Sequence, residues 1–178
     1  LGVVLLSFLP FLSQELITNY ATTIRLWFGN FEFNASFYYV FREIGYWFRG
    51  YNEIQIIGKI TPLVVITVTL LISFLRKNTE PKTLIHSFLF VLSFYLFTST
   101  TIHPWYIATL LMLSVFTNYS YIVVWSFTVF LSYYTYSQPN FKESYVLLCL
   151  QYVLVYILFI WEVILKRPIP LTTLKLRT

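Results

Sequence analysis

The chain has 178 residues, of which 58% are hydrophobic and only 11% charged, with a formal net charge of +5. A soluble domain typically carries about 25% charged residues, so this composition excludes an ordinary water-soluble fold. The positive charge lies in no basic run and the aromatics sit inside apolar blocks, which excludes nucleic-acid binding. The single cysteine, Cys149, excludes an internal disulfide.

In chain order, residues 1–12 read as the tail of a membrane helix. The sequence begins within that apolar stretch and its only methionine is Met112, so it is expected to be the C-terminal part of a longer protein. Residues 14–55 follow as a connection holding most of the acidic groups. Apolar blocks at 56–75, 84–99, 105–116, 121–136 and 145–165 come next, several of them near the roughly 20 residues that cross a bilayer as a helix. The breakers Thr79-Glu80-Pro81 and Ser137-Gln138-Pro139-Asn140 separate helices, and Pro168 and Pro170 are expected to end the last one. The reading is an all-α polytopic membrane protein forming one membrane domain over 1–178, with about five to six transmembrane helices, the first truncated.

Basic residues suggest an orientation. Arg76, Lys77 and Lys82 share one loop, while Lys166, Arg167, Lys175 and Arg177 crowd the tail, so the positive-inside rule assigns both to the cytoplasmic side. An even number of crossings between them makes the assignments agree. It also brings the 14–55 connection, the His103 turn and the 138–144 loop to one outer face.

Within the connection, Phe33, Phe37, Val40, Phe41, Ile44, Trp47, Phe48 and Tyr51 recur at helical spacing, predicting an amphipathic interfacial helix over about 33–49. Its other face carries Asn34, Tyr38 and Arg42 at four-residue intervals, with Tyr39, Glu43 and Tyr46 beside them. Either this face is merely solvated, with Arg42 pairing with Glu43, or it walls a site. An arginine fork matches phosphate oxygens, and Asn34, Tyr38 and Tyr39 could bond to or stack on a sugar. Asn34-Ala35-Ser36 and Asn118-Tyr119-Ser120 also fit the glycosylation pattern, which is short and recurs by chance.

The run Thr98-Ser99-Thr100-Thr101-Ile102-His103-Pro104-Trp105-Tyr106 closes one apolar block and opens the next. Pro104 suits a first helical turn and Trp105 and Tyr106 suit a membrane interface. The imidazole is either a satisfied polar group or a donor to phosphate. Glu162 and Lys166 are spaced as a helical i,i+4 pair, and Gln151 reads as a helix-helix contact. No metal-ligand cluster can be assembled. All seven acidic residues are glutamates, so a general base would be Glu32 or Glu43, or would lie outside this stretch.

Phe31-Glu32-Phe33-Asn34-Ala35-Ser36-Phe37-Tyr38-Tyr39 with Arg42, followed by Thr101-Ile102-His103-Pro104-Trp105-Tyr106, resembles the C-terminal half of bacterial mannosyltransferase-like proteins of the GT-C glycosyltransferase superfamily. The likeness covers about residues 30–137 in pattern. It implies a multi-pass enzyme of the bacterial inner membrane, taking a polyprenyl-phosphate-linked sugar as donor and a glycan or lipid as acceptor, without an identified cofactor. It also implies a donor site lined by Asn34, Tyr38, Tyr39, Arg42, His103, Trp105 and Tyr106. The superfamily's catalytic acid, usually an aspartate in the first outer loop, has no counterpart here, so the fragment alone is expected to be inactive. Competing readings are a lipid-linked glycan polymerase, flippase or other transporter, and a non-catalytic membrane subunit.

Overall fold

The computed structural model describes residues 2–167 and is helical throughout, apart from one isolated bridge between Phe33 and Thr101. The apolar start forms α1 (Gly2–Phe8) and a 3-10 turn (Leu9–Phe11) that contains Pro10. Ser13 then caps α2 (Gln14–Asn30), its side chain accepting from the Leu16 N–H at 3.0 Å. The expected connection is therefore helical in its first part, and α2 packs along α4 (Ile54–Leu75). Gly2–Phe11 and Gln14–Leu26 together pass as one apolar unit bent by 111°, a broken span or a re-entrant segment.

The helix expected at the interface, α3, spans Phe37–Arg49, starting later than the apolar spacing predicts. Gly50 ends it at φ 76°, a left-handed conformation that costs a residue without Cβ little, and its N–H donates to the Tyr46 carbonyl. This helix is inside out relative to one on a water-soluble protein. Tyr38, Tyr39 and Arg42 are buried, while Trp47 is 85% and Phe48 83% exposed. That inversion suits an element lying in lipid, where apolar side chains face outward and polar ones need partners within the protein.

Three helices among the described residues are long and apolar enough to cross a membrane: α4, α5 (Pro81–Thr98), and α8 (Tyr145–Phe159) with its π turn, together Tyr145–Ile164. With the bent N-terminal pair the number is up to four, fewer than the five to six read from the sequence. Residues 99–103 lead into a 3-10 turn (Pro104–Tyr106) and α6 (Ile107–Ser114). At the rises of the two helix types this stretch reaches only about 18 Å, short of the ~30 Å hydrocarbon thickness. The next, α7 (Tyr121–Thr128), continues as a 3-10 segment (Val129–Ser137). Its longer rise per residue brings the pair to about 30 Å.

The core lies among α5 to α8. Phe97 stacks on Trp125 with centroids 4.7 Å apart and planes within 9°, and Tyr152 meets Trp125 edge-on. Ser93 and Tyr121 hydroxyls join α5 to α7 at 2.7 Å, the polar contact that binds helices where the solvent is itself apolar.

The end of α8 differs from expectation. Its last turn, Ile160–Ile164, is π-helical. Glu162 does not pair with Lys166; it is 2% exposed and caps α7 instead. Its carboxylate accepts from the Ser120 N–H at 2.9 Å, the Tyr121 N–H at 3.0 Å, and the Ser120 hydroxyl. Three donors at a helix N-terminus hold its charge where the helix dipole favours an anion. Lys166 leaves the helix at φ 52°. Pro168, Pro170, Lys175 and Arg177 lie outside the described residues.

Candidate functional site

The site grows from a crossing of two extended segments. Residues 31–34 dock along 99–103: the Phe33 N–H donates to Thr100 O at 3.0 Å, the Ile102 N–H to Phe33 O at 2.8 Å, and the Thr101 hydroxyl to Phe31 O at 3.1 Å. Asn34 stands at φ 49° and precedes α3, so it does not share a helical line with Tyr38 and Arg42. Asparagine tolerates that conformation better than most residues. Here it ties three segments together. Its N–H donates to Glu143 Oε1 at 2.6 Å, its amide to Ile102 O at 3.4 Å, and its carbonyl accepts from the Tyr152 hydroxyl at 2.6 Å. Buried in this way, Asn34 is no acceptor for a glycan.

The polar face of α3 turns onto this crossing. Arg42 is 8% exposed. Its Nη1 donates to Glu32 at 2.6 Å, Nη2 to Glu43 at 3.0 Å and to the Tyr145 hydroxyl at 3.2 Å, and Nε to Glu43 at 3.3 Å. Four of its five N–H groups are thus engaged by protein. The guanidinium also lies 4.5 Å from the Tyr39 ring centre. Arg42 does pair with Glu43, but this face is buried and not solvated, and Arg42 also reaches residues brought from elsewhere in the chain.

Tyr38 donates to Glu32 at 2.5 Å, and the Asn52 amide donates to the same carboxylate at 3.2 Å. Tyr39 donates to Glu143. Both phenols are pushed well above their ordinary range, first by burial and then by the carboxylates they face. They are donors with fixed partners. Tyr38 is fully buried, so it cannot stack on a ligand as the sequence reading supposed.

Glu143 was missed from sequence. Burial pushes its carboxyl up, against the opposing pull of Tyr39, the Asn34 N–H and Arg42. It belongs to the 138–144 loop, which the sequence reading expected on the same face as the 14–55 connection and the His103 turn. Being the one acidic residue of that loop was the available signal.

Glu32, Arg42, Glu143 and Tyr145 line a pocket of about 340 Å³ with Phe31, Phe33, Thr135, Tyr136 and Phe141. This joins carboxylates, a cation and aromatic rings within one concavity, a lining able to hold a polar ligand and place a proton acceptor beside it. Behind Glu143 lies a chamber of about 10 Å³ bounded by Asn34, Ser132, Thr135, Ser144 and Gln151. Gln151 is fully buried and neither polar atom of its amide has a hydrogen-bond partner among the described residues. It faces a chamber, where the sequence reading placed a contact between helices.

His103, Trp105 and Tyr106 form a neighbouring stack and do not line the pocket. The His103 ring lies 4.3 Å from Trp105 with planes within 6°, and 5.1 Å from Phe33, which is shared with the pocket. Burial lowers the histidine's pKa, which favours the uncharged ring within this aromatic sandwich. Trp105 is 58% exposed and Tyr106 meets both rings edge-on.

The opposite face of α3 forms a second concavity. Phe37, Phe41, Ile44 and Phe48 face Ile56, Ile57, Ile60 and Val64 of α4 and Phe94 of α5 across an apolar groove of about 670 Å³. At one end Arg49 and Glu53 pair at 3.1 Å. Neither a known protein family, nor a curated protein, nor a solved structure matches this chain.

Proposed function

We propose that this chain is part of an integral-membrane glycosyltransferase that moves a sugar, mannose being the first candidate, from a polyprenyl-phosphate-linked donor to a glycan or lipid acceptor. The observation that carries the reading is the pocket where Glu32, Arg42 and Glu143 converge, set on the far side of α3 from an apolar groove. A lipid-linked sugar needs both: a polar cavity for the reacting group and an apolar track for the tail. In this scheme the acceptor hydroxyl attacks the anomeric carbon, the carbon–oxygen bond to phosphate breaks, and its electron pair leaves with the phosphate. Glu143 takes the hydroxyl proton, a role suited to a carboxyl whose proton affinity burial has raised. Arg42 stabilises the charge that grows on the leaving phosphate through its remaining Nη1 hydrogen. His103 positions Phe33 at the pocket edge. We place the chain in the bacterial inner membrane, with the pocket end outward and the C-terminus cytoplasmic.

One observation favours a second reading. Arg42, Tyr38 and Tyr39 are already engaged by protein groups, as in a structural network that anchors α3 within a non-catalytic subunit. Transfer assays on membranes containing the full-length protein separate the two. Glu143→Gln should abolish transfer from a radiolabelled polyprenyl-phosphate sugar while the protein remains folded, and Glu43→Gln should retain most of it. Wild-type turnover in the Glu143 variant would defeat the enzymatic assignment.

A further inference from the structure

The other end of the bundle holds a concavity that owes nothing to the sugar-transfer reading. It has a volume of about 420 Å³ and lies between the start of α5, the 115–120 turn and the end of α8. Lys82 and Lys166 enter it from the ends of two helices long enough to span a membrane, so it lies at the depth of lipid headgroups. We infer that this concavity binds the phosphodiester headgroup of an anionic phospholipid, with Lys82 and Lys166 on the phosphate and His86 on a headgroup hydroxyl.

The geometry argues for each part. The His86 Nδ1 lies 2.6 Å from the Lys82 carbonyl, which can only accept, so Nδ1 carries a proton and Nε2 is the ring nitrogen left for the headgroup. Tyr119 holds the imidazole edge-on, with centroids 5.7 Å apart. Glu162 also lines the cavity and would by itself repel phosphate. Its carboxylate is engaged by the two backbone N–H groups and the hydroxyl at the start of α7, and the two lysines outnumber it, so the cavity keeps a net positive lining. The π turn makes this possible: it turns Glu162 inward, and Lys166, leaving the helix at φ 52°, enters the cavity without pairing with Glu162. Phe90, Phe116 and Val163 complete the lining with apolar surface. A lipid can place its acyl chains on such a rim, whereas a free anion gains nothing from it. Basic cavities between membrane helices are the usual seats of anionic headgroups.

The test is lipid selectivity of the full chain reconstituted in phosphatidylcholine vesicles. Trace spin-labelled phosphatidylglycerol and phosphatidylcholine report, by the motionally restricted fraction of their spectra, the relative association of each. Phosphatidylglycerol should be preferred, and Lys82→Gln and Lys166→Gln should each reduce that preference about fivefold. Lys59→Gln, at the opposite end, should leave it unchanged. Both lysines are exposed, so neither substitution disturbs the core. An unaltered preference in the double variant would overturn the site. An equal loss with Lys59→Gln would overturn it as well, by reducing the effect to general surface charge. Displacement of labelled phosphatidylglycerol by inorganic phosphate, but not by chloride at equal ionic strength, would overturn the lipid assignment in favour of a free anion.

Discussion

Arg42 bonds to two carboxylates in very different surroundings, which allows one residue to test how far burial controls an ion pair. The Arg42 side chain is 10% exposed; Glu32 is 29% exposed and lies at 2.6 Å, whereas Glu43 is 60% exposed at 3.0 Å. Breaking a buried pair costs about 3–5 kcal/mol, mainly because a charge is left without its partner. Glu32 retains the Tyr38 hydroxyl and the Asn52 amide as donors. The coupling between Arg42 and Glu32 should therefore fall to about 2 kcal/mol, after the remaining donors have absorbed part of the penalty. Coupling to the solvent-screened Glu43 should be about 0.5 kcal/mol. A double-mutant cycle with Arg42→Met, Glu32→Gln and Glu43→Gln, followed by reversible unfolding in detergent micelles, measures both. A Glu43 coupling equal to or larger than that of Glu32 would refute the reasoning, since it would mean that burial does not set the hierarchy.

Further outcomes follow from neighbouring groups. Glu143 has its pKa raised by burial, so the folded state binds more protons than the unfolded one between the two values, and stability should fall as pH rises from the ordinary carboxyl range through the folded value. Glu143→Gln should remove that slope, so that unfolding curves of the variant gain on wild type with rising pH; a gain with falling pH would reverse the argument. Glu162→Ala strips the start of α7 of a buried acceptor and should cost about 3 kcal/mol, with Glu162→Gln near half of that in the same unfolding assay. At Gly50 an added Cβ meets nothing within 4 Å, so Gly50→Ala should cost only the left-handed backbone penalty of about 1 kcal/mol.

The long apolar helices were legible where, as in α4, an all-round apolar helix leaves a continuous signal that needs no tertiary context. The periodicity of α3 was also legible, but spacing alone left open whether its polar face is solvated or turned into the protein. Spacing shows that two faces differ; only the surrounding medium decides which one is buried. The α2 helix was hidden by its threonines, whose hydroxyls bond back to the preceding turn, as Thr18, Thr22 and Thr23 do. The Glu162–Lys166 pairing failed because it assumed an α-helical pitch where the chain makes a π turn. Glu143 carried no periodic signal at all, since it stands in a loop and acquires its partners from positions about a hundred residues earlier.

That last separation bears on how the protein is made. Arg42 and Tyr39 emerge from the ribosome long before Glu143 and Tyr145, which complete their hydrogen bonding. Until α8 is synthesised and inserted, Arg42 has Glu32 and Glu43 but lacks the Tyr145 hydroxyl, and Tyr39 lacks its Glu143 acceptor. The order of synthesis thus makes the 138–145 stretch the element that completes this network. A nascent chain halted before residue 143 should hold α3 loosely at the surface, open to protease and to chaperones, and full-length synthesis should close it.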